Sequence, residues 1–304
     1  MKLIKPSFEI LEQLPGLEGV YKQIELAGRT CYKSEDKITE DSAKEFVDRM
    51  IKSGHGAMLE HGTVYLSLDM TSREQYFKYC YNKFSKANST GNAEYSTWRG
   101  FVATNLRVLV ENDWMEDLQY ISEPTEYHEK RPTVKFTCDR GVSHEFVRHR
   151  VFSFAQESTR YCNYSKDKFG NEITCILPPW LSEDDIPKGF GYTSDDWGSL
   201  ICEFYYEATE KGKSEGFTIE PVRNFVFALQ TSEQLYFSLL KEGWKAQEAR
   251  SVLPNSLKTE LVMTGFISDW KHFFDLRCPG SAHPQARELA IPLQEKFKEL
   301  KWVD

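Results

Sequence analysis

Residues 148–161 read Arg-His-Arg-Val-Phe-Ser-Phe-Ala-Gln-Glu-Ser-Thr-Arg-Tyr, which puts three guanidinium groups, an imidazole and several hydroxyls into one short stretch. A guanidinium is a planar fork of donors matched to phosphate and carboxylate oxygens. The whole chain carries a formal net charge of −8, so this local knot of positive charge reads as an anion pocket, and a nucleotide phosphate fits its shape. An isolated Arg-x-Arg is more often a solvated helix end. Ser153, Gln156, Ser158 and Tyr161 in the same run favour a site. The elements that must position it follow from the pattern on either side. Thr133 to Cys138 alternates apolar and polar residues, which predicts a short strand. Asp139 offers an N-cap, and Val142, Phe146 and His149 recur at helical spacing. That predicts a helix over 140–150, with His149 on its apolar stripe and Arg148 on another face. Ser153 to Tyr161 then predicts a polar, turn-rich loop carried on a rigid base.

Arg277 is the second cation whose placement asks for a chemical account. Trp270, Phe273 and Phe274 define an apolar helical stripe, and Arg277 continues it where a core residue is expected. A guanidinium on a buried face needs an anion or several acceptors. The competing account is a last helical turn from which Arg277 reaches out and complements the helix dipole. Ser158 sits among cations, but no general base accompanies it in the sequence, so it is assigned to binding and not to nucleophilic attack. Metal ligation fails on spacing. His144 and His149 are five positions apart, a rotation of about 140° on a helix, so their rings diverge. His55, Glu60 and His61 miss the related inverted spacing. No metal site is expected, and His128, in a charged stretch, is expected to be exposed.

Composition bounds the rest. A length of 304 residues suits one large domain or two ordinary ones, and 40% hydrophobic with 14% aromatic residues is ample for a core. No run approaches the roughly 18 apolar residues of a membrane span, and Met1 to Pro6 lacks a signal-peptide core, so the expected location is cytoplasmic. Seven scattered cysteines favour reduced thiols over a disulfide frame. The acidic balance argues against a nucleic-acid binder. Ala43, Phe46, Met50 and Ile51 predict a helix stopped by Gly54, and Val64, Leu66 and Leu68 a strand. Trp197, Leu200, Ile201, Phe204, Tyr205 and Ala208 make the clearest amphipathic stripe, Thr231 with Gln234 resembles a capping box, and Pro284 opens a last helix. The expected fold is α+β, a mixed sheet flanked by helices. It is not a Rossmann fold, because no G-x-G-x-x-G follows a strand. A single domain over 1–304 is expected, with excursions near 85–95 and 165–191, both rich in Asn, Gly, Asp and Lys.

Arg148-His149-Arg150, seven further residues and Ser158 match the signature of the flavin-dependent thymidylate synthases, and Thr159-Arg160-Tyr161 continues it. Three other blocks resemble the same family in the same order. They are Gly54-His55-Gly56 with Leu59-Glu60-His61; Ala249 to Pro254; and Met263-Thr264-Gly265, Trp270 to Arg277 and Ala282-His283-Pro284-Gln285. The resemblance implies reductive methylation of dUMP to dTMP. Methylenetetrahydrofolate supplies the carbon and FAD carries a hydride from NADPH. It also implies a homotetramer with shared active sites. By position, Arg277 is the catalytic residue, favouring ionisation of the uracil ring. His55, Ala57, Arg148, His149, Arg150, Gln156, Phe266, Ser268 and His272 fall on flavin-contacting positions. Glu145, Arg148, Gln156, Glu157, Ser158, Thr159, Arg160, Arg250 and Arg277 fall on nucleotide-contacting ones. Phe266 and Ala57 depart from the family's usual polar residues and leave only backbone or van der Waals contact there. Cys162 and Cys278, the cysteines nearest these arginines, are not expected to act as nucleophiles. The alternatives are another nucleotide-dependent flavoenzyme and a non-catalytic nucleotide-binding protein.

Overall fold

A computed structural model describes residues 1–92, 97–186 and 221–304. The chain divides into two compact units, one of Met1–Lys5 with Thr159–Lys258 and one of Pro6–Ser158 with Thr259–Asp304. The fold is α+β, with short sheets and flanking helices. Strand β1 (Lys2–Ile4) belongs to the first unit and β2 (Ser7–Leu11) to the second.

In the second unit, helices α1 (Gly16–Tyr32), α2 (Ser42–Lys52) and α3 (Gly56–Leu59) precede strand β3 (Thr63–Leu68). Gly54, at φ +70, takes the left-handed turn that ends α2 where the sequence places its stop. Then follow α4 (Arg73–Cys80), β4 (Lys86–Thr90), β5 (Arg99–Asn105) and α5 (Leu106–Glu111). Val64, Leu66 and Leu68 are buried, as their alternation predicts, and β3, β5 and β4 form an antiparallel sheet in that order. The expected excursion at 85–95 thus contributes a paired strand at 86–90. His128 is buried at 4% exposure, contrary to expectation: its Nε2 bonds the Leu66 carbonyl at 3.0 Å and its Nδ1 accepts the Thr125 N–H. Glu126 and Lys130 beside it are exposed while the ring fills the sheet's edge.

The other sheet of this unit carries the arginine cluster. Strand β6 (Thr133–Asp139) leads into helix α6 (Arg140–Phe146), and strand β7 (Ser153–Gln156) follows the Arg-His-Arg run. Asp139 caps the helix as its position predicts, accepting the Val142 N–H at 2.7 Å. The helix ends at Phe146 and not near 150. From there the chain turns, with Arg148 N–H to the Glu145 carbonyl and Phe152 N–H to the His149 carbonyl, so that β7 can begin. Strand β8 (Thr174–Ile176) pairs parallel with β1 inside the first unit, within the excursion expected at 165–191. Helix α7 (Pro221–Lys241) runs unbroken through Thr231, whose hydroxyl donates to the Phe227 carbonyl at 2.8 Å. The capping box read at Thr231 and Gln234 is therefore mid-helix. The Trp197–Ala208 stripe lies outside the described residues.

Short helix α8 (Ala246–Ala249) precedes Arg250, and the chain re-enters the second unit through strand β9 (Lys258–Thr264). The sheet order is β2-β6-β9-β7, with β2 antiparallel to β6 and β7 antiparallel to β9. Val134, Phe136 and Cys138 of β6 and Leu261 and Met263 of β9 pack on helices α9 (Ile267–Arg277) and α10 (Pro284–Glu299). Trp270, Phe273 and Phe274 are fully buried, as the stripe predicts, and the Phe152 ring stands edge-on to Trp270 at 4.7 Å. Each such buried ring stabilises the unit by about 2–3 kcal/mol. This aromatic slab fixes the last turn of α9 and, with it, Arg277.

Candidate active site

Arg277 does not leave the helix for solvent. Its Nη1 donates to Glu145 Oε2 at 2.6 Å, its Nη2 to the Glu145 carbonyl at 2.7 Å and its Nε to His149 Nε2 at 3.0 Å. Three of the five guanidinium N–H groups are thereby engaged and two remain for a ligand. His149 is 7% exposed and wedged against Phe273, ring centroids 5.0 Å apart. Burial, with Arg277 and His272 beside it, pushes its pKa down to about 4. Accepting at Nε2 places the proton of the neutral ring on Nδ1. His272 joins this group from the exposed side of α9, its ring 6.3 Å from His149.

Arg148 and Arg150 are exposed, and neither side chain makes a hydrogen bond or ion pair with the described residues. Counting Glu145 as −1 and the three arginines as +3, the cluster carries a net +2 around a neutral His149. Gln156 turns its Nε2 to Ser143 Oγ at 2.8 Å and to Thr259 Oγ1 at 3.3 Å, which fixes the amide beside helix α6. Glu157 is buried and its N–H donates to the Glu260 carbonyl, while Ser158 N–H donates to the Cys31 carbonyl. His55 and Ala57 are exposed at the start of α3, a helix that packs against β7.

Phe266 is the N-cap of α9 and Ser268 lies in its first turn, the latter about 14 Å along the axis from Arg277. The Phe266 ring is buried near Arg131 and Lys86, and Ser268 N–H donates to Glu129 Oε1. Thr159, Arg160 and Arg250 belong to the first unit, where Arg250 Nη1 donates to Thr159 Oγ1 at 3.1 Å and Arg160 lies over the Tyr161 ring. Sequence reasoning missed Ser143, which holds Gln156, and the pairing of Glu145 with Arg277. Helical spacing puts Ser143 and Glu145 near the motif, but nothing local joins Glu145 to a residue 132 positions away.

The matching family model is that described as thymidylate synthase complementing protein, and it covers residues 74–301. The chain belongs to this family. Among curated relatives, the flavin-dependent thymidylate synthase of Corynebacterium aurimucosum is 24% identical over 278 residues, 91% of this chain and 75% of that one. That of Corynebacterium glutamicum is 23% identical over 93% of this chain and 77% of its own length. That of Geobacter sulfurreducens is 29% identical over 52% of each chain, so the chain spans about half the length of that relative. A solved structure, a UMP/dUMP methylase PolB from Streptomyces cacaoi bound with 5-Br dUMP, aligns over 99% of this chain and 93% of its own. Its identity is 17% and its TM-score 0.41, too low to add to the family match. Among the described residues no helix is long and apolar enough to cross a membrane.

The neutral, buried His149 has a measurable consequence. The unfolded chain's histidine titrates near 6.5, so between pH 6.5 and 4 the unfolded state binds a proton that the folded state refuses. The contribution is therefore fully present above pH 6.5 and lost as pH falls through 4, up to roughly 3 kcal/mol. Buried His61, pushed down to about 3, acts in the same direction. Urea midpoints measured from pH 7.5 to 4.5 should fall less steeply for His149→Asn than for the parent. Parallel profiles would mean that His149 is not held neutral.

Proposed function

We propose that the protein converts dUMP to dTMP by reductive methylation, with methylenetetrahydrofolate as carbon donor, NADPH as reductant and non-covalently bound FAD. The observation that carries this reading is the Glu145–Arg277–His149 cluster, set beside two unengaged arginines in a chain of this family. These residues fit a flavin nucleotide. Arg148 and Arg150 have all their donors free for pyrophosphate oxygens, and neutral His149 keeps an Nδ1–H to donate. Gln156, His55, Ala57, Phe266, Ser268 and His272 are assigned to the same cofactor. Ala57 and Phe266 offer it no side-chain hydrogen bond. When bound, FAD supplies the hydride chemistry.

The residues of the chain then have distinct tasks. The two remaining N–H groups of Arg277 stabilise negative charge developing on the uracil ring, a preorganised role that costs no rearrangement during reaction. Glu145 and His149 lock that guanidinium on three sides, so its direction is set before the nucleotide arrives. A protonated His149 would repel Arg277 and lose the Nε2 acceptor. Glu145, Arg148, Gln156, Glu157, Ser158, Thr159, Arg160 and Arg250 are assigned to dUMP. The expected assembly is a homotetramer in the cytoplasm.

The test supplies the purified protein with dUMP, methylenetetrahydrofolate, NADPH and FAD. We expect dTMP only when all four are present, and release of flavin on denaturation. A flavin-loaded protein that forms no dTMP would leave another flavoenzyme, and a colourless one that refuses FAD would leave a nucleotide binder. The cysteines give a further outcome. Cys162 is 1% exposed, and burial pushes the Cys278 thiol up, so neither sits in the electropositive, accessible setting that makes a thiolate. The Cys162→Ser/Cys278→Ser double variant should keep dTMP formation within about tenfold of the parent. Abolished turnover in a folded, flavin-loaded variant would point to a thiolate mechanism.

A further inference from the structure

A second concave site lies in the Pro6–Ser158/Thr259–Asp304 unit, built from residues that neither the motif nor its flavin and nucleotide assignments use. It is a cavity of about 490 Å³, within the few hundred to a thousand cubic ångströms typical of small-molecule sites. Its walls are mixed, with an apolar and aromatic part that includes Ile10, Val20, Tyr65, Ile121 and Trp302. Three cations line it: Arg131, Lys130 and Lys296.

Arg131 is the unusual one. It is 7% exposed, and no carboxylate lies within ion-pair distance of it among the described residues. Its guanidinium is held by neutral acceptors: the Glu60 carbonyl at 2.7 Å, Thr63 Oγ1 at 3.3 Å and Ser153 Oγ at 2.7 Å. The nearby Glu60 carboxylate is taken by Arg107. Burial pushes the Arg131 pKa down to about 10. The Glu60 and Asp269 carboxylates act on it only from beyond ion-pair distance. A buried cation without a direct ion pair is costly, and a ligand anion is a partner that would relieve it. The cavity is also lined by Pro15 and Gly16 at the start of α1, a helix end that has no side-chain cap. The N–H groups of its first turn add positive potential there. Lys130 lies 5.4 Å from the Trp302 ring, and the exposed Lys296 pairs, among the described residues, only with Glu299. The acidic side chains of the lining, Glu12 and Glu123, are both exposed, where solvent screens them.

We propose that this cavity binds a small molecule joining an anionic head to a flat, apolar body, of the aryl phosphate or aryl carboxylate class. The head meets Arg131 and the lysines, and the body lies against Tyr65 and Trp302. Phenyl phosphate is a suitable probe, titrated calorimetrically into the full chain, with phenol and inorganic phosphate as its separated halves. We expect phenyl phosphate to bind at least tenfold more tightly than either half. The Lys130→Glu/Lys296→Glu double variant, altered only at exposed positions, should lose at least tenfold in affinity with unchanged circular dichroism. Arg148→Ala/Arg150→Ala should bind within about twofold of the parent. Absence of binding, equal binding of phenol, or a loss in the motif variant instead of the lysine variant would each overturn the proposal. No nucleotide, flavin or folate enters the titration, so its result is independent of the dTMP assay.

Discussion

Arg277→Ala is expected to slow dTMP formation by about 10²–10³-fold, the range for removing one preorganised charge stabiliser. The loss should fall on kcat, because the two N–H groups left open by Glu145 and His149 act where charge develops. Flavin content should hardly change, since Arg148 and Arg150 are separate from this clamp. The variant also leaves Glu145 without its partner, so Glu145→Gln is the control: it keeps an acceptor oxygen at Arg277 without the charge and should lose less turnover than Arg277→Ala. Steady-state rates with flavin absorbance on the same samples decide the matter. Near-normal turnover in Arg277→Ala would reduce the residue to a complement of the α9 dipole.

Arg148→Ala/Arg150→Ala is expected to weaken FAD binding by at least about 100-fold. Each arginine offers charge-assisted hydrogen bonds worth about 1.5–3 kcal/mol, and two such losses combine to that or more. Both side chains are exposed and make no hydrogen bond or ion pair with the described residues, so the fold should be indifferent to their removal. Fluorescence titration with FAD gives the affinity, and thermal unfolding of the flavin-free protein shows whether stability is kept. Unchanged FAD affinity would move the pyrophosphate away from the motif.

The parts of the site legible in the sequence were those written locally. Alternation across Thr133–Cys138, the Asp139 cap and the Trp270–Phe273–Phe274 stripe are short-range patterns, and each appears in the structure. The helix over 140–150 did not run to its expected end. His149 does lie on the apolar side, but a turn and not a helix puts it there. Partnerships across the chain left no local trace. Glu145 falls on a nucleotide-contacting position by resemblance, but nothing near it in sequence names Arg277 as its partner. Arg131 looks like a solvated loop cation until Thr63 and Ser153 close around it. His128 differs for the opposite reason, since the exposed Glu126 and Lys130 beside it do not tell where its ring goes.

The sheet order β2-β6-β9-β7 puts the last-synthesised strand between β6 and β7. Gln156 faces Leu261, a partner on the order of 100 residues downstream. On a ribosome adding about 5–20 residues per second, the arginine-motif strand therefore waits about 5–20 s for the neighbour that completes its ladder. Throughout that interval β6 and β7 each present an unpaired edge, the kind of surface that recruits foreign strands. Loss of yield by aggregation during synthesis is thus a hazard built into the strand order, separate from the stability of the finished protein. Substitutions that slow the arrival of β9 would deplete soluble protein while leaving the melting temperature of the surviving molecules untouched.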